Sequence, residues 1–406
     1  MAPHAENGDD PAGAAPRAEP VHLQSFSVSF EYPVVFTRDV LAPDNPALVD
    51  ALTRREPERR HRLLAVVDEG VDRAWPGLRG ELARYVARHE GRLALAGAPE
   101  VVPGGETAKN DPALVARLRS RFHEARLDRQ SFVLIVGGGA VLDVAGYAAA
   151  TVHRGLRVVR LPTTVLAQDD SGVGVKNGVN GCGAKNLVGT FAPPFAVIND
   201  ARFLETLSPR DKRAGMAEAV KVALIRDAAF FDWLEASAGR LSEFAPPALE
   251  ELVRRSAELH LRHIATSGDP FETGSARPLD FGHWSAHKLE TLSGHALGHG
   301  EAVAIGLALD ARYSVESGRL APEAAERVCA LLERLGLPLW HDVLELRGED
   351  GRPRVLDGLE EFREHLGGQL TLVLLAGIGR GVEVRDVAEP PIRRALDWLR
   401  RRARRA

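Results

Sequence analysis

The stretch SFVLIVGGGAVLDVAGYAAAT (131–151) decides the fold. Five successive apolar residues, Phe132 to Val136, run into three glycines, Gly137 to Gly139, and then into a segment of helical spacing. An unbroken apolar run is what a strand covered on both faces requires. Asp143 falls in the first helical turn, and Gly146 permits close helix–sheet packing. Glycines between a strand and a helix let backbone N–H groups approach a pyrophosphate, where the helix dipole favours an anion. The spacing is not that of the standard GxGxxG dinucleotide fingerprint, and a plain tight turn would give the same pattern.

Working outward, LLAVVD (63–68), LALAG (93–97), RVVRLP (157–162) and FAVIND (195–200) read as further buried strands. Residues 71–90 and 111–126 have helical spacing between them. Strands alternating with helices predict a Rossmann-like α/β domain on a parallel sheet. After Leu207 the texture changes. Ser208 is a predicted N-cap with Pro209 at the first helical position, and a second helix starts near Pro246. Residues 283–318 and 322–335 read as two more helices, 370–375 as a strand, and the basic 393–405 as a solvated terminal helix. The expected division is a leader over 1–20, an NAD-binding α/β domain over 21–207 and a mainly helical, metal-binding domain over 208–406.

A chain of 406 residues suits two domains. The net charge of −4 creates no field for nucleic acid or an anionic membrane, and no apolar run approaches the roughly 20 residues that span a bilayer. Neither partner is expected. The leader, rich in Ala, Pro, Gly and acidic residues, has no signal-peptide core and reads as disordered. Cys182 and Cys329 are too few for a disulfide framework, which fits a reducing cytoplasm. Only six of the 52 cationic residues are lysine: Lys109, Lys176, Lys185, Lys212, Lys221 and Lys288. Such a bias retains lysine where a compact ammonium is needed. Lys212 and Lys288 instead fall at expected surface positions of helices.

Two further constellations carry chemistry. LPTTVLAQDDSGVGVKNGVNGCGAKNLVGTF (161–191) concentrates threonines, carboxylates, lysines and asparagines among glycines that forbid a regular helix. Asp170, Lys176, Lys185 and Asn186 could hold a phosphorylated polyol through charge-assisted bonds, although a solvated connector would also be polar. MAEAVK (216–221) sets Glu218 and Lys221 on one helical face, and DFGHWSAHKLETLSGHALGHGEA (280–302) holds His283, His287 and His299. A carboxylate with two imidazoles and an open position is the catalytic zinc pattern. A His pair at i, i+4 also serves core packing.

Together these blocks resemble the sugar phosphate cyclase superfamily, and 3-dehydroquinate synthase most of all. The resemblance runs from about Leu63 to about Leu375 in nine ordered blocks: GGETAK (104–109), GGGAVLD (137–143), HRG (153–155), PTT (162–164), the Asp170–Asn186 loop, FLETL (203–207), MAEAVK, FGH (281–283) and HGEAVAIG (299–306). It implies oxidation of a ring hydroxyl by NAD, elimination of phosphate, re-reduction by the same cofactor and intramolecular aldol closure to a carbocycle. A divalent metal, zinc or alternatively cobalt, would hold and polarise the oxidised hydroxyl.

By motif, the resemblance implies Glu218, His283 and His299 as metal ligands. It implies NAD contacts at Asp68, Glu106, Lys109, Gly138, Gly139, Asp143, Thr163, Thr164, Lys185, Phe203 and Thr206. Substrate contacts fall at Asp170, Lys176, Asn186, Lys221 and His287, with His287 and Glu272 at proton-transfer positions. Arg154 matches the arginine that reaches the neighbouring subunit's phosphate site, which implies a homodimer.

The departures gather on the substrate side. Asp280 stands where dehydroquinate synthases read Asn, Ala276 (with Arg277 adjacent) replaces an arginine thought to hold the substrate carboxylate, and Arg262 and Arg363-Glu364, beside His365, replace lysines. Gly70 replaces an asparagine after the first cofactor aspartate. RPLDFGH (277–283) is similar to the valiolone-forming cyclases, which take a neutral-headed heptulose phosphate. MAEAVK and AQDDSGVGVKNGVN (167–180) look closer to a dehydroquinate synthase-like cyclase of the Ebo-operon type. The expected activity is that of a phosphate-eliminating carbon–oxygen lyase on a seven-carbon sugar phosphate, with 3-deoxy-arabino-heptulosonate 7-phosphate as the default. The alternatives are a valiolone-type cyclase acting on sedoheptulose 7-phosphate, a glycerol dehydrogenase-type metal-dependent alcohol dehydrogenase, and a non-catalytic scaffold.

Overall fold

The computed structural model describes residues 21–182, 184–266, 271, 278–365 and 369–405, and the leader expected over 1–20 lies outside them. Residues 21–31 hold no regular secondary structure, and Tyr32–Ala406 form one compact unit. In the first half of that unit, strands β1 (Val34–Thr37), β2 (His61–Asp68), β3 (Leu93–Leu95), β4 (Glu100–Val102), β5 (Phe132–Gly137), β6 (Arg157–Pro162) and β9 (Ala196–Asp200) build one parallel sheet. Its order is β1-β9-β6-β5-β2-β3, with β4 pairing the far end of β2. Between β6 and β9, β7 (Lys176–Gly181) and β8 (Ala184–Phe191) form a separate antiparallel hairpin.

The sheet is parallel for the reason the sequence gives. In β5, Phe132, Leu134 and Val136 enter one apolar core while Val133 and Ile135 enter another on the opposite face. Both cores are closed by helices α1 (Ala47–Thr53), α2 (Glu69–Ala74), α3 (Leu78–Arg88), α4 (Pro112–Glu124) and α5 (Gly139–Thr151). Strands β1 and β4 are too short to show as apolar runs, and the sequence reading passes over both.

From Pro209 onward the chain is helical: α6 (Pro209–Arg226), α7 (Ala228–Ser242), α8 (Pro246–Thr266), α9 (His283–Leu292), α10 (His299–Glu316), α11 (Pro322–Arg334), α12 (Asp357–His365) and α13 (Glu389–Ala403), with the hairpin β10 (Leu372–Gly377)–β11 (Arg380–Val384). Ser208 caps α6 by accepting the Asp211 N–H, as expected. Three expectations need correction. The helix read over 283–318 is two, because Gly294 and His295 adopt positive φ and end α9, with the His295 N–H returning to Glu290 O at 2.8 Å. The terminal helix α13 is not simply solvated, since Ile392, Ala395, Leu396 and Leu399 are buried. Lys288 is buried rather than exposed, with its ammonium paired to Glu361.

The polar connector is also more ordered than a loop. Arg160 of β6 is 1 % exposed, and its guanidinium donates to Gly172 O, Gly174 O, Lys176 O and Asn177 Oδ1 at 2.8–3.1 Å. A single buried cation thus gathers the carbonyls of 172–176 and aims the hairpin at α5. Gly146 does permit close packing, but against β7: a Cβ there would stand 1.9 Å from Asn177 Oδ1.

Candidate metal and nucleotide site

Helix α6 delivers Glu218 and Lys221 one turn apart, both buried, with the ammonium against Glu218 Oε2. Glu218 Oε1 lies 3.6 Å from His283 Nε2 and 3.3 Å from His299 Nε2. Donor atoms of the three residues all fall within 4.8 Å of one another. Neither oxygen of Glu218 makes a well-directed hydrogen bond. A buried carboxylate facing two imidazole nitrogens without satisfying them is the donor set of a divalent cation, and these three residues fit one.

Each imidazole is oriented from behind. His283 Nδ1 is 3.1 Å from Phe281 O, which turns Nε2 toward Glu218. The backbone around His283 is held by Asp310, whose carboxylate accepts the Gly282 N–H and the Trp284 indole N–H, both at 2.9 Å. His299 opens α10, and its place is set by Glu301, which accepts the Gly298 N–H at 2.8 Å and pairs with Arg210 of α6. Behind His299, Glu290 Oε2 stands 3.3 Å from Nδ1. Burial alone would raise the Glu290 carboxyl pKa, but the His299 hydrogen bond and the nearby charges hold it well below the usual range. The same kind of balance raises His299 to about 9, with burial opposed by Glu218 and Glu290.

His287 completes the cluster, its ring centroid 5.5 Å from His283 and 6.2 Å from His299. Surrounding protein, then the two neighbouring imidazoles, push its pKa well below 6.5, while the ring remains open to solvent. It is neutral at pH 7.

The expected nucleotide residues lie along the sheet's carboxyl end. Helix α5 starts at Gly139, and its N-cap, Gly138, has no side chain with which to cap it. A Cβ on Gly139 would come within 2.7 Å of Ser171 Oγ. Thr163 presents a buried hydroxyl with no hydrogen-bond partner, and the Thr164 hydroxyl accepts the Ala167 N–H at 3.1 Å. Asp68 accepts the Gly70 N–H at 2.7 Å, so where the family pattern has asparagine a bare amide meets this carboxylate. A glycine turn at a helix start and an unpartnered buried hydroxyl beside it fit a dinucleotide phosphate. Asp143 receives the Lys109 ammonium at 2.6 Å, and Lys109 also reaches Asn186 Oδ1 on β8. Lys185, next along, donates to Glu290 at 3.1 Å and lies 3.9 Å from Glu106. Phe203 is wholly buried against Trp75, so only its main chain can face a ligand, and the exposed Thr206 hydroxyl bonds Phe203 O.

On the substrate side, Ala167–Ser171 winds as a single π turn, a geometry that concentrates at functional sites. It places Asp170 Oδ1 2.9 Å from His260 Nδ1 of α8. Burial opposes ionisation of Asp170, but Lys221 and His260 hold its pKa below normal. Asp169 beside it is fully buried with neither oxygen hydrogen-bonded, and burial, then repulsion from Asp170 and Glu218, raises its pKa well above the ordinary value. The Asp280 carboxylate is near enough to Lys221 to stabilise that ammonium. Lys176 stands exposed at the start of β7, and Arg154 is exposed on the turn after α5 at φ +65°. Arg262 is exposed, as are Arg363 and Glu364, with Arg363 tied to Glu360. Glu272, Ala276 and Arg277 lie outside the described residues.

The sequence reading missed Glu290, Asp310, His260 and Asp169. Only Glu290 left a trace: it lies seven residues after His283 and three after His287, on the same helical face.

The chain is matched over 100–214 by the family model described as 3-dehydroquinate synthase N-terminal and over 215–351 by that described as 3-dehydroquinate synthase C-terminal. It is 37% identical to a 2-epi-valiolone synthase of Actinosynnema mirum, over 88% of this chain and 96% of that one. It is 36% identical to a 3-dehydroquinate synthase of Rhodopseudomonas palustris, over 91% and 93%. Among solved structures it is similar to ValA, a 2-epi-5-epi-valiolone synthase of Streptomyces hygroscopicus with NAD+ and Zn2+ bound, at a TM-score of 0.82 and 33% identity over 93% of this chain and 99% of that one.

Proposed function

The chain belongs to the 3-dehydroquinate synthase family of sugar phosphate cyclases, and from that premise we propose that it cyclises a seven-carbon sugar phosphate with an uncharged head, sedoheptulose 7-phosphate. The observation that carries the reading is the meeting of Glu218, His283 and His299 beside Lys221. In this proposal the nucleotide half is 21–207 and the metal half 208–406, and the enzyme works in the cytoplasm.

When bound, NAD supplies a reversible hydride acceptor and a divalent ion, zinc or cobalt, a Lewis acid for the substrate hydroxyl. Glu218, His283 and His299 hold the ion. The turn at Gly138 and Gly139, with Asp68, Glu106, Lys109, Asp143, Thr163, Thr164, Lys185, Phe203 and Thr206, holds the nucleotide. Lys221, its ammonium fixed by Glu218, directs its remaining N–H bonds at substrate oxygens. The neutral His287 takes up a proton, and the ionised Asp170, steadied by His260, accepts hydrogen bonds from the polyol. Asn186 orders the hairpin through Lys109 while Lys176 meets the phosphate. Arg154 reaches the phosphate of a second subunit in a homodimer, and Glu272 serves proton transfer.

The choice of head group rests on charge. Asp280 sets a carboxylate near Lys221, where a substrate acid would have to stand. Like charges about 4 Å apart repel by roughly 1 kcal/mol in water and about 4 at an effective dielectric of 20. That disfavours 3-deoxy-arabino-heptulosonate 7-phosphate. The test is phosphate release from both sugars with NAD and zinc present, the product identified by mass and NMR. Release from sedoheptulose 7-phosphate without net NADH supports the proposal. Release only from the acid would return the assignment to dehydroquinate synthesis, net NADH from a polyol would make it an alcohol dehydrogenase, and inertness towards every heptulose phosphate would leave a scaffold.

A further inference from the structure

We propose that Glu290 is a positioning residue that couples metal binding to nucleotide binding, so that each ligand tightens the other. The identity of the two ligands rests on the cyclase reading. The coupling itself rests on one buried carboxylate with two partners.

Glu290 lies on α9, the helix that carries His283 and His287. Its side chain is 7% exposed and sits between elements distant in sequence. Oε2 faces His299 Nδ1 at 3.3 Å. Lys185 Nζ lies 3.1 Å from Oε1 and 3.4 Å from Oε2. Lys185 belongs to β8, and its ammonium continues to Glu106, 3.9 Å away on the Glu106–Asn110 turn. A continuous polar chain therefore runs from the metal donor set, through Glu290, to the hairpin and the turn that face the nucleotide.

Both partners need the same carboxylate conformation. By accepting Nδ1–H, Glu290 leaves the His299 Nε2 lone pair facing the metal position beside Glu218, the tautomer a metal ligand requires. By accepting from Lys185 it holds that ammonium over the nucleotide side. Whichever ligand arrives first immobilises Glu290 and its partners, and the second meets a site already ordered. Linkage then requires the effect to be reciprocal and equal in the two directions. Buried between two donors, the carboxylate would lose a hydrogen bond in a low-dielectric setting if it left either partner, which makes the shared conformation costly to abandon.

The experiment uses the full chain. Zn2+ affinity is measured by chelator competition with and without NAD+, and NAD+ affinity by calorimetry on chelator-stripped and Zn2+-loaded protein. The wild type should show reciprocal tightening of at least about fivefold, the lower end of ordinary coupling. Glu290→Gln should still bind both ligands, with the coupling reduced to less than about twofold. Lys185→Met cuts the chain at its other end without touching His299, and should abolish the coupling even if Glu290→Gln fails to fold. Equal affinities with and without the second ligand in the wild type would overturn the proposal, and so would full coupling in either variant. These are binding constants, so a lack of turnover on every sugar phosphate would defeat the cyclase reading and leave them standing.

Discussion

His260 Nδ1 lies 2.9 Å from Asp170 Oδ1, so helix α8 holds the carboxylate of the π turn from the far side of the site. Asp170 is also drawn toward Lys221, and it keeps its charge because that ammonium and the His260 contact outweigh its burial. Replacing His260 by Ala should leave Asp170 free to swing. A lost orienting partner costs on the order of tenfold to a hundredfold in kcat. Steady-state phosphate release checks this, with the melting temperature as control. A kcat within twofold of wild type would show that Asp170 needs no support from α8.

Gly146→Ala should be destabilising by about 1–3 kcal/mol, because its Cβ would overlap Asn177 Oδ1 at 1.9 Å. The strain falls on the hairpin that carries Lys176, Lys185 and Asn186, so KM should rise as well. Urea titration and KM together check it.

Asp310 gives a pH signature. Burial raises its pKa from 3.8 to about 7. Between those values the folded state binds the proton and the unfolded chain does not, so its contribution to stability declines as pH rises from about 4 to about 7. The decline cannot exceed about 1.4 kcal/mol per pH unit. Asp310→Asn removes the titration, and the stability of wild type relative to the variant should fall across that window in chemical denaturation. A flat difference would mean that Asp310 is ionised throughout.

Asp280→Asn should shift substrate preference. Removing the charge beside Lys221 is expected to raise kcat/KM for the acid-headed heptulosonate phosphate at least about tenfold relative to sedoheptulose 7-phosphate. Competition between the two sugars measures the ratio directly.

Stripping divalent metal should lower the melting temperature, because Glu218 Oε1 and the two imidazoles it faces then lose the cation they share in a buried site. A ligand at a hundred times its Kd stabilises by about 2.7 kcal/mol. Thermal unfolding after chelation, and after return of Zn2+, follows the change without any assay of turnover.

Much of this was legible from one dimension. The α/β half was readable because strands such as Phe132–Gly137 are buried on both faces and so carry continuous apolar runs. Glu218, His283 and His299 were legible through their motifs. Glu290, Asp310 and His260 were not, because what they do is hold other side chains, and such a partner can come from any element that packs nearby. The polar connector misled for a related reason: its glycines and amides suit a loop, yet Arg160 and the hairpin pairing order it.

The sequence by itself determined which residues could ligate a metal, where backbone could approach a phosphate, and that the strands would be parallel, since these follow from residue chemistry and short-range periodicity. Tertiary structure alone decided that Glu218 faces imidazoles 65 and 81 positions away, that one carboxylate serves both His299 and Lys185, and that Asp280 stands beside Lys221. Such contacts arise from how helices cross and where they end, and burial then sets the charge each group can keep.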